Sequence, residues 1–186
     1  MDVANPQAHL VRGITLLELI TTLAVAGVSL AIVVPGWSAL SQRSQRTTGA
    51  NLVLTHLRYA RTEAVTRGET VTMCPSDDGS SCSGDPFGWH RGYIVFVDTD
   101  GDRDRASHRD EKLLRTQGAA RTRLRLHTSA GRPAVRFRPD GTAWGTNATF
   151  RLCLGDGGRA VVLYGSGRAR VDRRAPGNQP VNCNPG

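Results

Sequence analysis

The chain has 186 residues, room for one domain with a real core plus an appendage, and its composition is ordinary for a globular domain except in charge. The formal net charge is +8, and of 24 basic residues only Lys112 is a lysine. Four cysteines, Cys74, Cys82, Cys153 and Cys183, show no CxxC spacing, which sets aside a zinc or thioredoxin-type site.

An arginine excess has two physical sources. A GC-rich coding sequence produces it blindly, and contact with phosphate calls for it, because the planar guanidinium binds phosphate oxygens in pairs. The distribution along the chain bears on the choice. Residues 14–73 carry five arginines against three glutamates, residues 74–111 four against nine acids, and residues 115–186 thirteen against three aspartates. Codon bias takes no account of sign, so an acidic middle followed by a strongly basic remainder points to a polyanion partner for the C-terminal half.

Residues 1–13 are short and polar, with Arg12 at the edge of an apolar run. That run, residues 14–34, carries a single charge, Glu18. As a helix it spans about 30 Å, the thickness of a hydrocarbon core. The positive-inside rule keeps the leader in the cytoplasm and puts everything after Pro35 outside. A secretory signal peptide would need a small-residue cleavage site after the run, where Pro35, Gly36 and Trp37 stand instead. A carboxylate at membrane depth costs roughly 2.5–3.5 kcal/mol on insertion scales, so Glu18 requires a purpose unless the interface hydrates it.

The string Gly13-Ile14-Thr15-Leu16-Leu17-Glu18-Leu19-Ile20 resembles the cleavage and assembly motif of type IV pilins and type II secretion pseudopilins. The resemblance implies a prepilin peptidase that cuts between Gly13 and Ile14 on the cytoplasmic face, and methylation of the new amino group of Ile14. It also implies that Glu18 pairs with the N-terminal amine of a neighbouring subunit, which gives a carboxylate in lipid its cation only on assembly. Ile14 departs mildly from the Phe often found after the cut.

Pro35 and Gly36 are expected to bend or loosen the helix as it leaves the membrane. Residues 38–67 continue as an amphipathic helix, with Ala50, Val53, Leu57, Ala60 and Ala64 on one face and Gly68 as the stop. Beyond it the pattern changes to short alternating runs. Strands are expected at 70–74, 93–98, 112–116, 123–127, 135–138, 149–154, 160–164 and 168–171, separated by Gly-, Pro- and Asp-rich turns. The organisation is a leader (1–13), the membrane part of the helix (14–37), its periplasmic part (38–68) and a β-rich head (69–186). The fold class is α+β, a long helix packed on an antiparallel sheet structure.

The head narrows the resemblance. Cys74-Pro75-Ser76, Gly88-Trp89, the run from Gly92 to Asp98, Phe137-Arg138-Pro139-Asp140-Gly141 and Gly167-Arg168-Ala169-Arg170-Val171 are similar in order and kind to the GspH/FimT family of minor pilins and pseudopilins. With the head outside the inner membrane, the cysteines meet an oxidising compartment and form two disulfides. Three pairings are possible; Cys74–Cys82 with Cys153–Cys183 is the local choice, stabilising by about 2.6 and 3.7 kcal/mol from loop entropy.

The run Asp98-Thr99-Asp100-Gly101-Asp102-Arg103-Asp104 invites a calcium reading, but its EF-hand register fails: the sixth position holds Arg103 and the twelfth Arg109. A tight acidic turn with local arginine partners accounts for it, and no metal site and no cofactor is assigned. His56, His90, His108 and His127 are scattered and no GxSxG or HExxH is present, so no enzyme is expected. The remaining candidate is the C-terminal set Arg168, Arg170, Arg173 and Arg174, reached through a flexible Gly165-Ser166-Gly167 and stapled by Cys183 to Cys153. In the FimT branch a Gly-Arg-x-Arg motif is associated with DNA binding in natural transformation, and Gly167-Arg168-Ala169-Arg170 matches it. One reading is therefore a minor pilin that binds extracellular DNA without sequence preference. The other is an assembly subunit, a type II secretion pseudopilin or pilus-initiating minor pilin, whose arginines meet acidic neighbours.

Overall fold

The computed structural model describes residues 13–105, 111–120 and 123–183, with the backbone alone for 32–35; residues 1–12 of the expected leader, Arg12 included, lie outside the described residues. The chain divides into two compact units, Met1–Ser41 and Gln42–Gly186. One helix, α1 (Leu16–Arg67), begins in the first and ends in the second.

In the first unit Thr15 caps α1. Its hydroxyl accepts the Glu18 amide at 3.3 Å and its carbonyl accepts that of Leu19 at 3.1 Å. Thr15-x-x-Glu18 thus has the spacing of a capping box, and the carboxylate sits in the positive first turn of the helix. The apolar side chains here are uncovered, Ile14 at 77% and Leu16 at 75% exposure. The helix is long and apolar enough to cross a membrane by length and composition. Pro35 and Gly36 do not end it. A proline removes one i→i−4 bond, and the flanking bonds carry the helix past the gap.

In the second unit α1 stops where Gly68 adopts φ +68° and its amide bonds to the Ala64 carbonyl at 3.0 Å. Eight strands follow: β1 (Val71–Pro75), β2 (Gly92–Val97), β3 (Leu113–Gly118), β4 (Arg125–His127), β5 (Val135–Phe137), β6 (Ala148–Leu154), β7 (Gly157–Leu163) and β8 (Ala169–Asp172). All eight expected strands are present, with ends displaced by three residues or fewer. They form two four-stranded antiparallel sheets, ordered β3-β2-β1-β5 and β4-β6-β7-β8.

The inward face of α1 is the expected one, since Ala50, Val53, Leu57, Ala60 and Ala64 are all 0–2% exposed. Both sheets supply the other side: Val71, Met73, Val95 and Phe137 from the first, Leu126, Phe150, Leu152, Val161 and Leu163 from the second. Small residues let the second sheet approach closely. A Cβ at Gly49 would come within 3.1 Å of Leu152 Cδ2 in β6 and 2.6 Å of Leu124 Cδ2, just ahead of β4. On the far side of β1 and β2, Cys74, Ile94 and Phe96 form a second cluster with Ala134. The central strands of the first sheet are therefore covered on both faces, which is why they read as continuous apolar runs.

Two buried polar groups beside the core illustrate how interior hydrogen bonds are met. Trp89 donates from Nε1 to Thr128 Oγ1 at 3.2 Å and meets Phe150 edge-on at 4.9 Å. His56 lies between Tyr93 Oη (2.6 Å from Nδ1) and Arg115 Nη1 (2.9 Å from Nε2). A guanidinium can only donate, so Nε2 must be the bare nitrogen and the ring neutral. Burial, then Arg115, push the His56 pKa down accordingly. The two disulfides are Cys74–Cys82 and Cys153–Cys183, with Cα separations of 5.6 and 5.7 Å.

Candidate nucleic-acid interface

The arginines of interest gather around β8, the last strand of the second sheet. Strand alternation sends Ala169 and Val171 against the core and Arg170 and Asp172 the other way, with Arg168 exposed just before the strand. The approach to β8 is a closed hairpin turn and not the flexible link expected. Gly167 donates to the Tyr164 carbonyl and Tyr164 to the Arg168 carbonyl, both at 2.9 Å. Gly167 is required: its φ is +76°, and a Cβ would collide with the Gly141 carbonyl oxygen.

The structure distributes the four predicted arginines over different surroundings. Arg170 lies 5.5 Å above the Tyr164 ring and 3.3 Å from the Asp172 carboxylate, both partners half-exposed. Such a pair is worth little in water and yields readily to a phosphate. Arg168 lines an open groove of about 650 Å³ whose opposite wall is α1, with Arg58, Arg61, Thr62, Val65 and Thr66. Arg61 is wedged against the glycines of two turns, its Nε 3.1 Å and 3.2 Å from where a Cβ of Gly141 or Gly167 would stand. Arg58 and Arg61 escaped the sequence reading, although their i, i+3 spacing already put them on one helix face. What the sequence does not contain is the direction of that face.

Arg173 belongs elsewhere. Extending the β7–β8 register from Ala160↔Asp172 brings it opposite Arg159, and alternation turns it away from Arg170. The Arg46 guanidinium lies directly over Gly157, where a side chain would collide with it. Burial first, then Arg173, Arg43 and Arg46, push the Arg159 pKa down, so these four make a second cluster of like charge. Arg174 bonds from Nη1 to the Asn178 carbonyl at 3.1 Å and supports the turn of the tail. That tail runs back past Gly158, within 2.6 Å of a Cβ placed there by Val181, to the Cys153–Cys183 staple.

Of the remaining predicted site residues, Gly13, Ile14 and Glu18 lie exposed in the first unit, Glu18 in the opening turn of α1. The acidic run after β2 gathers differently from an EF-hand: oxygens of Asp98, Asp100 and Glu111 lie within 4.8 Å of one another. Arg105 and Arg136, its arginine neighbours, donate to the Glu111, Ser80 and Gly101 carbonyls.

The fold and its motifs can be set beside known proteins. The family model described as type II transport protein GspH matches residues 49–167. The pilin-like protein PilA1 of Thermus thermophilus is 32% identical over 165 residues, covering 87% of this chain and 98% of that one. The crystal structure of the type IV minor pilin FimU of Pseudomonas aeruginosa superposes with a TM-score of 0.56 at 23% identity, over 75% of this chain and 98% of FimU. A second FimU crystal form gives 0.52 over 71% of this chain and 98% of that one. With an apolar N-terminal helix, a two-sheet antiparallel head and these matches, the chain belongs to the GspH family of type IV minor pilins and pseudopilins.

Proposed function

We propose that this protein is a minor pilin of the FimT kind, which joins a type IV filament and captures extracellular DNA for natural transformation. The observation that carries the reading is the groove in which Arg58 and Arg61 of α1 face Arg168 of the Gly167-Arg168-Ala169-Arg170 motif, with Arg170 exposed on the strand that follows. Among the described residues no acidic side chain lines that groove. Guanidinium groups on two rigid elements can each take a backbone phosphate, a mode that holds a duplex without reading its bases.

The same reading assigns the N-terminal segment. Peptidase cleavage between Gly13 and Ile14, on the cytoplasmic side, leaves an amine for methylation at the head of α1. Residues 14–37 anchor the chain in the inner membrane with the head in the periplasm. Glu18 then pairs with the amine of an adjacent subunit in the filament. No catalytic role and no cofactor are assigned.

The test is fluorescence anisotropy of full-length protein in detergent with a short duplex, across a salt series. Four phosphates neutralised by Arg58, Arg61, Arg168 and Arg170 give a slope of about −3.6 in log K against log salt, roughly a 150-fold loss between 50 and 200 mM. Arg168→Gln with Arg170→Gln halves that slope, and Arg58→Gln with Arg61→Gln does the same. Wild-type slopes retained in both variants would remove the groove as the site. No binding at 50 mM salt would leave an assembly subunit of a pilus or secretion pseudopilus whose basic surfaces meet protein.

A further inference from the structure

We propose that the β2–β3 connection holds one calcium ion between Asp98, Asp100 and Glu111. Asp98 follows β2 and Glu111 precedes β3, so strand pairing closes the loop and brings them face to face. The Val97 amide reaches the Lys112 carbonyl at 2.9 Å and the Thr99 amide reaches Glu111 Oε1 at 2.8 Å. Asp98 is 1% exposed and Glu111 3%, so two carboxylates are buried side by side. Asp98 is anchored by Thr72 Oγ1 at 2.6 Å and by the Gly101 amide at 2.8 Å.

Glu111 is the observation that points to a ligand. Its Oε2 is buried and has no hydrogen-bond partner among the described residues. An oxygen of Glu111, one of Asp98 and one of the exposed Asp100 lie within 4.8 Å of one another. A buried anionic oxygen without a donor, placed among other carboxylates, is unfavourable unless a cation joins them. Among the described residues, the nearby Arg105 and Arg136 direct the donors seen here to backbone carbonyls and not to Glu111 Oε2. Calcium binds oxygen at about 2.3–2.6 Å, so two of its ligands stand up to roughly 5 Å apart, which accommodates this spacing. Among the described residues the donors are all hard oxygens, which suits calcium over zinc or copper. Two disulfides mark an oxidising compartment outside the cytosol, where modules with dissociation constants of about 0.1–1 mM are filled.

The experiment is calorimetric titration of calcium chloride into EGTA-stripped full-length protein in detergent, with magnesium chloride in parallel and the unfolding temperature followed in both. One calcium per chain, a Tm rise of several degrees at 5 mM calcium and a weaker response to magnesium are expected. Glu111→Gln and Asp100→Asn should each lower calcium affinity about tenfold or more, while Glu111→Gln in EGTA melts no lower than wild type. Asp100 is exposed, so its variant decides the matter if Glu111→Gln fails to fold. Absence of both heat and a Tm shift in the wild type at 5 mM calcium overturns the proposal. So does wild-type affinity in the variants, which would put the ion elsewhere.

Discussion

His56 is held as a neutral ring by the geometry around it, and stability inherits a pH dependence from that. Its pKa is pushed down by burial and then by Arg115; His127 is pushed down by burial and then by Arg151 and Arg125. The unfolded chain, with histidine near pKa 6.5, therefore binds more protons than the fold does below that pH. The stabilisation is complete above about pH 6.5 and is lost as pH falls from there towards the folded values. Burial pushes the Glu111 carboxyl up, and it works in the opposite sense. The comparison is best made against His56→Gln/His127→Gln, whose Tm should lose the decline between pH 6.5 and 5 that wild type shows. Parallel profiles for the two proteins would mean the rings are charged in the fold.

At the level of elements, the covalent staples act on different strands. Cys153–Cys183 closes a separation of 30 residues and fixes the tail to β6, whereas Cys74–Cys82 spans 8. Loop entropy assigns them about 3.7 and 2.6 kcal/mol. Chemical denaturation of Cys153→Ser/Cys183→Ser should therefore show the larger loss of the two double variants. The helix and the strands were legible because their periods are local: Ala50 to Ala64 repeat at three and four residues, and each strand alternates between turn residues. The partition into two sheets was not, because pairing β1 with β5 joins residues more than 60 positions apart. For the same reason the sequence does not show Arg58 and Arg61 as neighbours of Arg168, whereas Glu111 meets Asp98 through the nearer β2–β3 pairing. Arg173 is close to Arg170 in sequence, but alternation and the β7–β8 register part them.

Across the whole second unit, charge is segregated. An acidic loop follows β2, while Arg43, Arg46, Arg159 and Arg173 crowd where the β6–β7 turn meets α1. Like charges this close repel across a partly desolvated surface, and mobile ions screen them. Raising sodium chloride from 20 to 300 mM should raise the Tm, and Arg173→Ser should shrink that rise. An equal rise in the variant would show that the cluster carries none of the strain. The same screening weakens phosphate contacts at the groove beside the start of β8, so on the proposed reading salt stabilises the fold while weakening DNA binding.

The position of β8 has one more consequence. It ends the second sheet, so its outer edge has no ladder partner among the described strands. A bare edge is a template on which a neighbour's strand could zip, fusing crowded copies into a continuous ribbon. Arg168 and Arg170, charged and exposed along that border, make such zipping unfavourable. Heads packed at high local density can then stay separate bodies, leaving their order along a fibre to be set by something other than backbone hydrogen bonding.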